Sequence, residues 1–218
     1  MLANFTVYDE TIDDARAAVA LLQTTDKIDQ NHIYVLGHSL GAMLAPRIAQ
    51  NGSNITGLIM LAAPTRSLTD LLLNQTIYLA SLDGNISEAE QSQIDSLREN
   101  ISLITSHSLG PDEIILGASA AYWYDLNSYN PVVTALTLHI PMLILQGERD
   151  YQVSYMDDFP AWQQAFADNA NVTLIAYPLL NHLFIAGNGP PTNTEYNQPG
   201  NVDEQVVMDI TNWVYSFL

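Results

Sequence analysis

The chain contains no cysteine, which excludes disulfides, thiolate metal sites and a cysteine nucleophile and leaves the redox compartment open. Basic residues are scarce: six Lys and Arg face 24 Asp and Glu, and Lys27 is the single lysine. The formal charge of −18 argues against nucleic acid or an anionic membrane as partner, since both call for clustered cations. Such a charge fits a solubility role, including life in a salty medium, or the steering of a cationic substrate. No apolar run reaches the roughly 18 residues of a membrane helix. The start, Met1 to Phe5, lacks the basic patch and apolar stretch of a signal peptide, so a cytoplasmic location is the default expectation. No His and carboxylate residues show a metal-site spacing such as His-Glu-x-x-His, so no metal is expected. Asn-x-Ser/Thr triplets, as at Asn54 and Asn74, arise by chance in a chain this rich in Asn and Thr.

What is present is enough for one folded domain over residues 1–218: 48% of the residues are hydrophobic and only 14% charged. Helical and strand patterns alternate, which predicts an α/β fold with a parallel sheet. Asp9 to about Gln23 reads as an amphipathic helix with Ile12, Ala15, Val19 and Leu22 on one face and Asp9 as its N-cap. Ile33–Leu36, Ile55–Ala62, Met142–Gln146 and Val172–Tyr177 read as buried strands. Helices are predicted over Ala42–Gln50, ended by Gly52, over Ser154–Asp168, and from about Val202 to Phe217 with Val206, Ile210, Trp213 and Phe217 on one face. Between about Arg66 and Asn130 the pattern is helical without a clear strand: Thr69–Leu82, Ser87–Ile104 and part of Pro111–Tyr124. That stretch reads as a helical cap inserted between strands. Gly187–Gly200 is a loop.

The sharpest signal is Gly37-His38-Ser39-Leu40-Gly41, which joins a predicted strand directly to a predicted helix. A serine at such a turn is lifted into the open by a strained backbone, and glycines at 37 and 41 suit a place where the chain passes close to itself. The helix that follows aims its N-terminus at Ser39, so the Leu40 N–H is a candidate oxyanion donor. A serine hydroxyl needs a base. His182 follows the strand Val172–Tyr177 and fits that role. Asp150 follows the strand Met142–Gln146 and fits as the acid that orients the imidazole. Glu148 and Asp157 are rival acids. Three such residues after three parallel strands would share one sheet edge.

The elbow, the segment Gly147-Glu148-Arg149-Asp150-Tyr151-Gln152-Val153 and the pair Asn181-His182 together resemble the α/β-hydrolase family, most nearly its bacterial esterase and dienelactone-hydrolase-like members. The resemblance implies Ser39 as nucleophile, His182 as general base and Asp150 as orienting acid. It also implies hydrolysis of a small-molecule ester through an acyl-enzyme, with no cofactor. One departure stands out. Only 32 residues precede Ile33, and the family's leading strands and its His-Gly-Gly-Gly-like oxyanion loop have no counterpart. The chain therefore reads as N-terminally truncated, with about four of the family's strands. Ile33–Leu36 would then be an exposed apolar edge, and a homo-oligomer, expected to be a dimer, would cover it.

Among the remaining candidates, His38 is expected to pack beside Ser39 and to touch substrate. Tyr122, Trp123 and Tyr124 either pack the cap or line an apolar pocket. Phe184 and Leu40 flank triad residues and are expected as pocket walls. His32 and His139 read as capping or surface residues, and His107 lies in the cap. The predicted activity is that of a serine carboxylesterase for small apolar esters. A thioesterase, acyltransferase or peptidase would use the same triad, and a remnant with little activity, acting as an oligomeric binding protein, stands as the alternative.

Overall fold

Two apolar runs set the centre of the fold. Every residue of Gly57–Leu61 and of Met142–Gly147 is buried, as in strands covered on both faces by other layers. The computed structural model describes residues 5–50 and 54–218. In chain order, a π-helical turn (Tyr8–Ile12) runs into α1 (Asp13–Leu22), followed by β1 (Tyr34–His38), α2 (Leu40–Ala49) and β2 (Gly57–Leu61). Then come α3 (Leu68–Ser81), α4 (Glu88–Thr105), a hairpin of β3 (Ile114–Ile115) and β4 (Ala118–Ser119), and α5 (Ala120–Asn127). The chain closes with α6 (Pro131–Leu136), β5 (Met142–Gly147), α7 (Phe159–Ala165), β6 (Val172–Tyr177), a 3-10 turn (Asn193–Asn197) and α8 (Glu204–Tyr215). These elements form two compact units, residues 16–65 with 131–218, and residues 1–15 with 66–130.

The first unit is an α/β layer structure. Its sheet has four parallel strands in the order β1-β2-β5-β6, and helices flank it. α2 packs on β1 and β2 with Ala42 through Pro46 buried. Carbonyls at its C-terminal end call for donors from outside the helix. The Arg16 guanidinium supplies them, donating to the carbonyls of Arg47 at 2.7 Å, Ile48 at 3.2 Å and Gln50 at 3.4 Å. Gly52, expected to end this helix, lies outside the described residues. Trp162 of α7 is fully buried and its indole N–H donates to the Ala63 carbonyl at 2.9 Å, which ties α7 to the loop after β2.

The second unit is helical with one small hairpin. Ser87 and Glu90 close a reciprocal capping box at the start of α4, and Ser67 and Ser119 cap α3 and α5. The stretch Pro111–Tyr124, expected to be helical, instead turns back on itself. Leu116 and Gly117 both take positive φ, 47° and 83°, as a two-residue hairpin turn requires. The Trp123 indole then donates to the Ile115 carbonyl at 2.8 Å, and the Tyr122 hydroxyl donates to Glu10 at 2.7 Å. Phe5, Glu10, Leu68, Ile114, Tyr122 and Trp123 line a cavity of about 540 Å³ within this unit.

Other boundaries shift for local reasons. Asp9 is not a cap: its carboxylate accepts from the Thr6 N–H at 2.8 Å, and Val7 holds the N-cap position. Leu22, expected on the buried face of α1, is 38% exposed. Ser154–Asp158 is not helical, because the chain after Asp150 is spent in turns, and α7 starts only at Phe159.

Candidate active site

Ser39 sits between β1 and α2 with φ 55° and ψ −119°, a backbone conformation that side-chain-bearing residues rarely adopt. Two backbone bonds hold it there. Its N–H donates to Leu61 of the neighbouring strand at 2.9 Å, and its carbonyl accepts from Met43 at 2.9 Å. The turn is so tight that a Cβ on Gly37 would lie 2.3 Å from the Gly41 carbonyl oxygen. The same expectation does not hold at Gly41, where a Cβ would meet nothing within 4 Å. The Leu40 N–H opens the first turn of α2, where backbone donors have no helical acceptor.

Asp150 and His182 come together, both buried. His182 Nδ1 lies 2.7 Å from Asp150 Oδ2. With the carboxylate accepting, Nδ1 carries the proton and Nε2 is left free to act as a base. The acid itself is held on both oxygens. Oδ1 accepts from the N–H groups of Gln152 at 2.8 Å and Val153 at 2.9 Å, and Oδ2 also accepts from the Gln146 amide at 3.2 Å. Gln146, 1% exposed at the end of β5, shares the two hydrogens of the same amide nitrogen among Asp150 Oδ2 and the carbonyls of Gly147 and Val153, so one buried amide ties the turn around Asp150. Sequence reasoning did not single it out, since a glutamine at a strand end carries no pattern of its own. The acid and base loops are also pressed together at the backbone. Arg149 N–H donates to the Leu180 carbonyl at 3.0 Å, and a Cβ on Gly147 would lie 2.4 Å from that same oxygen.

The elbow reaches this pair through His38. Its Nε2 lies 2.7 Å from the His182 carbonyl oxygen, and the two imidazoles are 4.6 Å apart. Burial pushes the His38 imidazole below its ordinary value, and the hydrogen bond to His182 only partly offsets this. Phe184, buried with φ 58°, packs edge-on against His38 and Tyr177 beneath the imidazoles. Among the described residues no hydrogen bond joins the Ser39 hydroxyl to the His182 ring.

The rival acids Glu148 and Asp157 are exposed, whereas Asp150 is buried against the imidazole. His32 bonds Asp29 at 2.7 Å and the Phe217 carbonyl at 3.0 Å, His139 is exposed, and His107 stacks on Tyr124 at 4.2 Å. Tyr122 and Trp123 line the cavity of the helical unit. Among the described residues no group of three His, Asp or Glu side chains could hold a metal ion, and no helix is long and apolar enough to cross a membrane.

Comparison with known proteins agrees with this reading of the fold. Esterase EstD of Thermotoga maritima is 40% identical over 209 residues, which is 96% of this chain and 48% of EstD. The chain thus spans about half the length of that relative. The α/β hydrolase GrgF of Penicillium sp. superposes with a TM-score of 0.56 at 13% identity, over 94% of this chain and 70% of GrgF. The Pyrococcus furiosus esterase Pf2001 superposes with a TM-score of 0.52 at 16% identity, over 97% of this chain and 64% of the esterase. The model of the Hydrolase_4 family, described as serine aminopeptidase S33, matches residues 3–186. With its parallel sheet, its strand-to-helix serine elbow and this match over most of its length, the chain belongs to the Hydrolase_4 family of α/β hydrolases.

Proposed function

We propose that the chain hydrolyses small, uncharged, apolar carboxylic esters through an acyl-enzyme. The observation that supports this most is the Asp150–His182 pair at 2.7 Å, held at the sheet edge where the strained Ser39 also emerges. In this reading Ser39 Oγ attacks the ester carbonyl carbon while His182 Nε2 takes the hydroxyl proton. The Leu40 N–H receives the negative oxygen of the tetrahedral intermediate. The intermediate collapses, the C–O bond to the alcohol breaks, and His182 returns the proton to the leaving alkoxide. Water then attacks the acyl carbon with His182 as base, and the carboxylic acid departs from Ser39. No cofactor enters any step.

His38 and Phe184, beside His182, are assigned as substrate contacts, and residues 66–130 are assigned as a cap whose own cavity is lined by Tyr122 and Trp123. A second copy of the chain is assigned to β1, an outer strand of the sheet on which Leu36 is 55% exposed. A monomer in light scattering at micromolar concentration would remove that assignment.

Reaction with a fluorophosphonate, followed by intact mass, tests the nucleophile. One adduct on the wild-type chain and none on Ser39→Ala supports the reading. A folded chain that takes no adduct favours a non-catalytic binding protein. Rates on p-nitrophenyl esters of increasing acyl length, set beside thioester and aminoacyl-amide substrates, then separate an esterase from a thioesterase or peptidase with the same triad.

A further inference from the structure

Arg149 directly precedes the acid and Asn181 directly precedes the base. Both bond one carboxylate that lies elsewhere in the chain. Glu195 Oε1 pairs with Arg149 Nη2, and Glu195 Oε2 accepts from Asn181 Nδ2 at 3.1 Å. We propose that Glu195 is the positioning residue of the catalytic pair: a single carboxylate grips the neighbour of Asp150 and the neighbour of His182, and so fixes the distance between acid and base. The proposal rests on the triad reading above.

Several features show that this is a built brace. The Asn181 amide has only one orientation open to it. Its Oδ1 accepts from the N–H groups of Leu183 at 3.0 Å and Ile185 at 3.2 Å, which turns Nδ2 toward Glu195. The Arg149 side chain is only 10% exposed, although the chain has just six Lys and Arg against 24 Asp and Glu. Two further donations hold the guanidinium, from Nε to the Gly189 carbonyl at 3.1 Å and from Nη2 to the Asn188 carbonyl at 3.3 Å. A side chain at Gly187 would collide with the guanidinium, its Cβ falling 2.1 Å from Nη1. Glu195 is itself set in place by its neighbour. The Tyr196 hydroxyl accepts from the Gln152 amide at 2.8 Å, and its ring lies 6.2 Å from that of Tyr151. Gln152 in turn gives its backbone N–H to Asp150. Segment 188–197 therefore touches the acid turn on both sides of Asp150 and the base loop at Asn181. Charge-assisted bonds of this kind are about twice as strong as neutral ones and are directional, which suits a spacer better than an apolar contact.

The test uses Glu195→Ala and Glu195→Gln in the full chain, with near-ultraviolet circular dichroism to establish that each is folded. The rate of Ser39 labelling by a fluorophosphonate and the hydrolysis of p-nitrophenyl acetate are measured against pH. The expected result for Glu195→Ala is a kcat about tenfold lower with KM little changed, the size of loss that a small misplacement of a catalytic group produces. The acidic limb of the pH profile is expected to move to lower pH, because a displaced Asp150 supports the His182 imidazolium less. Glu195→Gln, which keeps one acceptor and the shape, should fall between Glu195→Ala and wild type. A folded Glu195→Gln or Glu195→Ala chain that labels at the wild-type rate with an unmoved acidic limb overturns the proposal, even if its melting temperature is lower. If Glu195→Ala does not fold, Glu195→Gln decides alone. A wild-type chain that takes no label sinks the triad reading itself; a labelled wild type with unaffected variants sinks only the role of Glu195.

Discussion

His38 Nε2 lies 2.7 Å from the carbonyl oxygen of His182, so the residue beside Ser39, the proposed nucleophile, holds the backbone of the residue proposed as its base. The carbonyl can only accept, which makes Nε2 the protonated nitrogen of His38. Replacing His38 by Ala removes this bond and the ring contacts with His182 and Phe184. The expected loss of stability is about 1–2 kcal/mol, a fall in melting temperature of about 2–8 °C for a chain of this size. Under the proposed function the hydrolysis rate should fall as well, since the loop of His182 loses its tie to the elbow. Melts and p-nitrophenyl acetate kinetics of His38→Ala check both.

Two histidines give the stability opposite dependences on pH. His38 titrates below the ordinary 6.5, mainly through burial, so the unfolded chain takes up its proton first. Its contribution is complete above pH 6.5 and declines as pH falls through the depressed folded value. His32 titrates above 6.5, mainly through its hydrogen bond to Asp29. Its contribution is complete below pH 6.5 and is lost as pH rises through the raised folded value. Melting temperatures taken from pH 5 to 8 should therefore show a shallower acid-side fall in His38→Ala than in wild type. In His32→Gln the alkaline-side fall should be the shallower one. Parallel curves for all three chains would contradict the assignment.

The proposed catalytic residues predict a graded loss. Asp150→Asn keeps the shape of the turn but presents a donor to His182 Nδ1, favouring the wrong tautomer. A fall of about 10⁴ in kcat is expected. Ser39→Ala and His182→Ala should each cost about 10⁶. Glu148→Gln, at an exposed position, should leave kcat/KM unchanged. Full activity in His182→Ala would reject the base.

The sheet was legible because its strands are dense apolar runs closed by turn residues, and Val172–Tyr177 matches its predicted bounds. The pairing of Asp150 with His182 was expected from the residue types a serine needs, from the family resemblance and from strand order, since parallel strands deliver their following loops to one edge. What escaped were features decided by side chains reaching the backbone. Asp150 Oδ1 binds the N–H groups of Gln152 and Val153, so the chain there turns where the periodicity of 154–168 suggested helix. The β3–β4 hairpin was hidden within an apolar stretch, although Gly117 was the available signal for a turn. α6 was missed, with Pro131 at its first position as the unread marker. The Gln146 amide and the Glu195 brace had no local signature, because each joins segments distant in sequence.

The glycines of the elbow and acid turn should respond differently to alanine. At Gly37 a Cβ lies 2.3 Å from the Gly41 carbonyl oxygen, and at Gly147 it lies 2.4 Å from the Leu180 carbonyl oxygen. Backbone cannot yield as a flexible side chain does, so both variants are expected to lose more than about 2 kcal/mol. Under the proposed function Gly147→Ala should also lower the hydrolysis rate by spreading the loops of Asp150 and His182. Gly41 lies inside α2 with open space at its Cβ, so Gly41→Ala should stabilise the fold by about 0.5–1 kcal/mol through helix propensity. Urea midpoints of the three variants decide the order.

Salt should raise the stability of this chain, because a charge of −18 on 218 residues places like charges within each other's reach. At 0.1 M salt the screening length is about 10 Å, and at 1 M it is about 3 Å, so most of the surface repulsion is removed across that range. The Arg149–Glu195 pair, with side chains 10% and 24% exposed, is shielded from this screening. Surface pairs such as Arg98 with Asp95 are not shielded, but they contribute little. The repulsive majority therefore dominates the response. Melting temperature should climb steadily from low to molar sodium chloride, and it should climb by about the same amount in Glu195→Gln with Arg149→Met, where the shielded pair is absent and net charge is unchanged. No climb in wild type would mean that the acidic surface is already spaced widely enough for its charges to be independent.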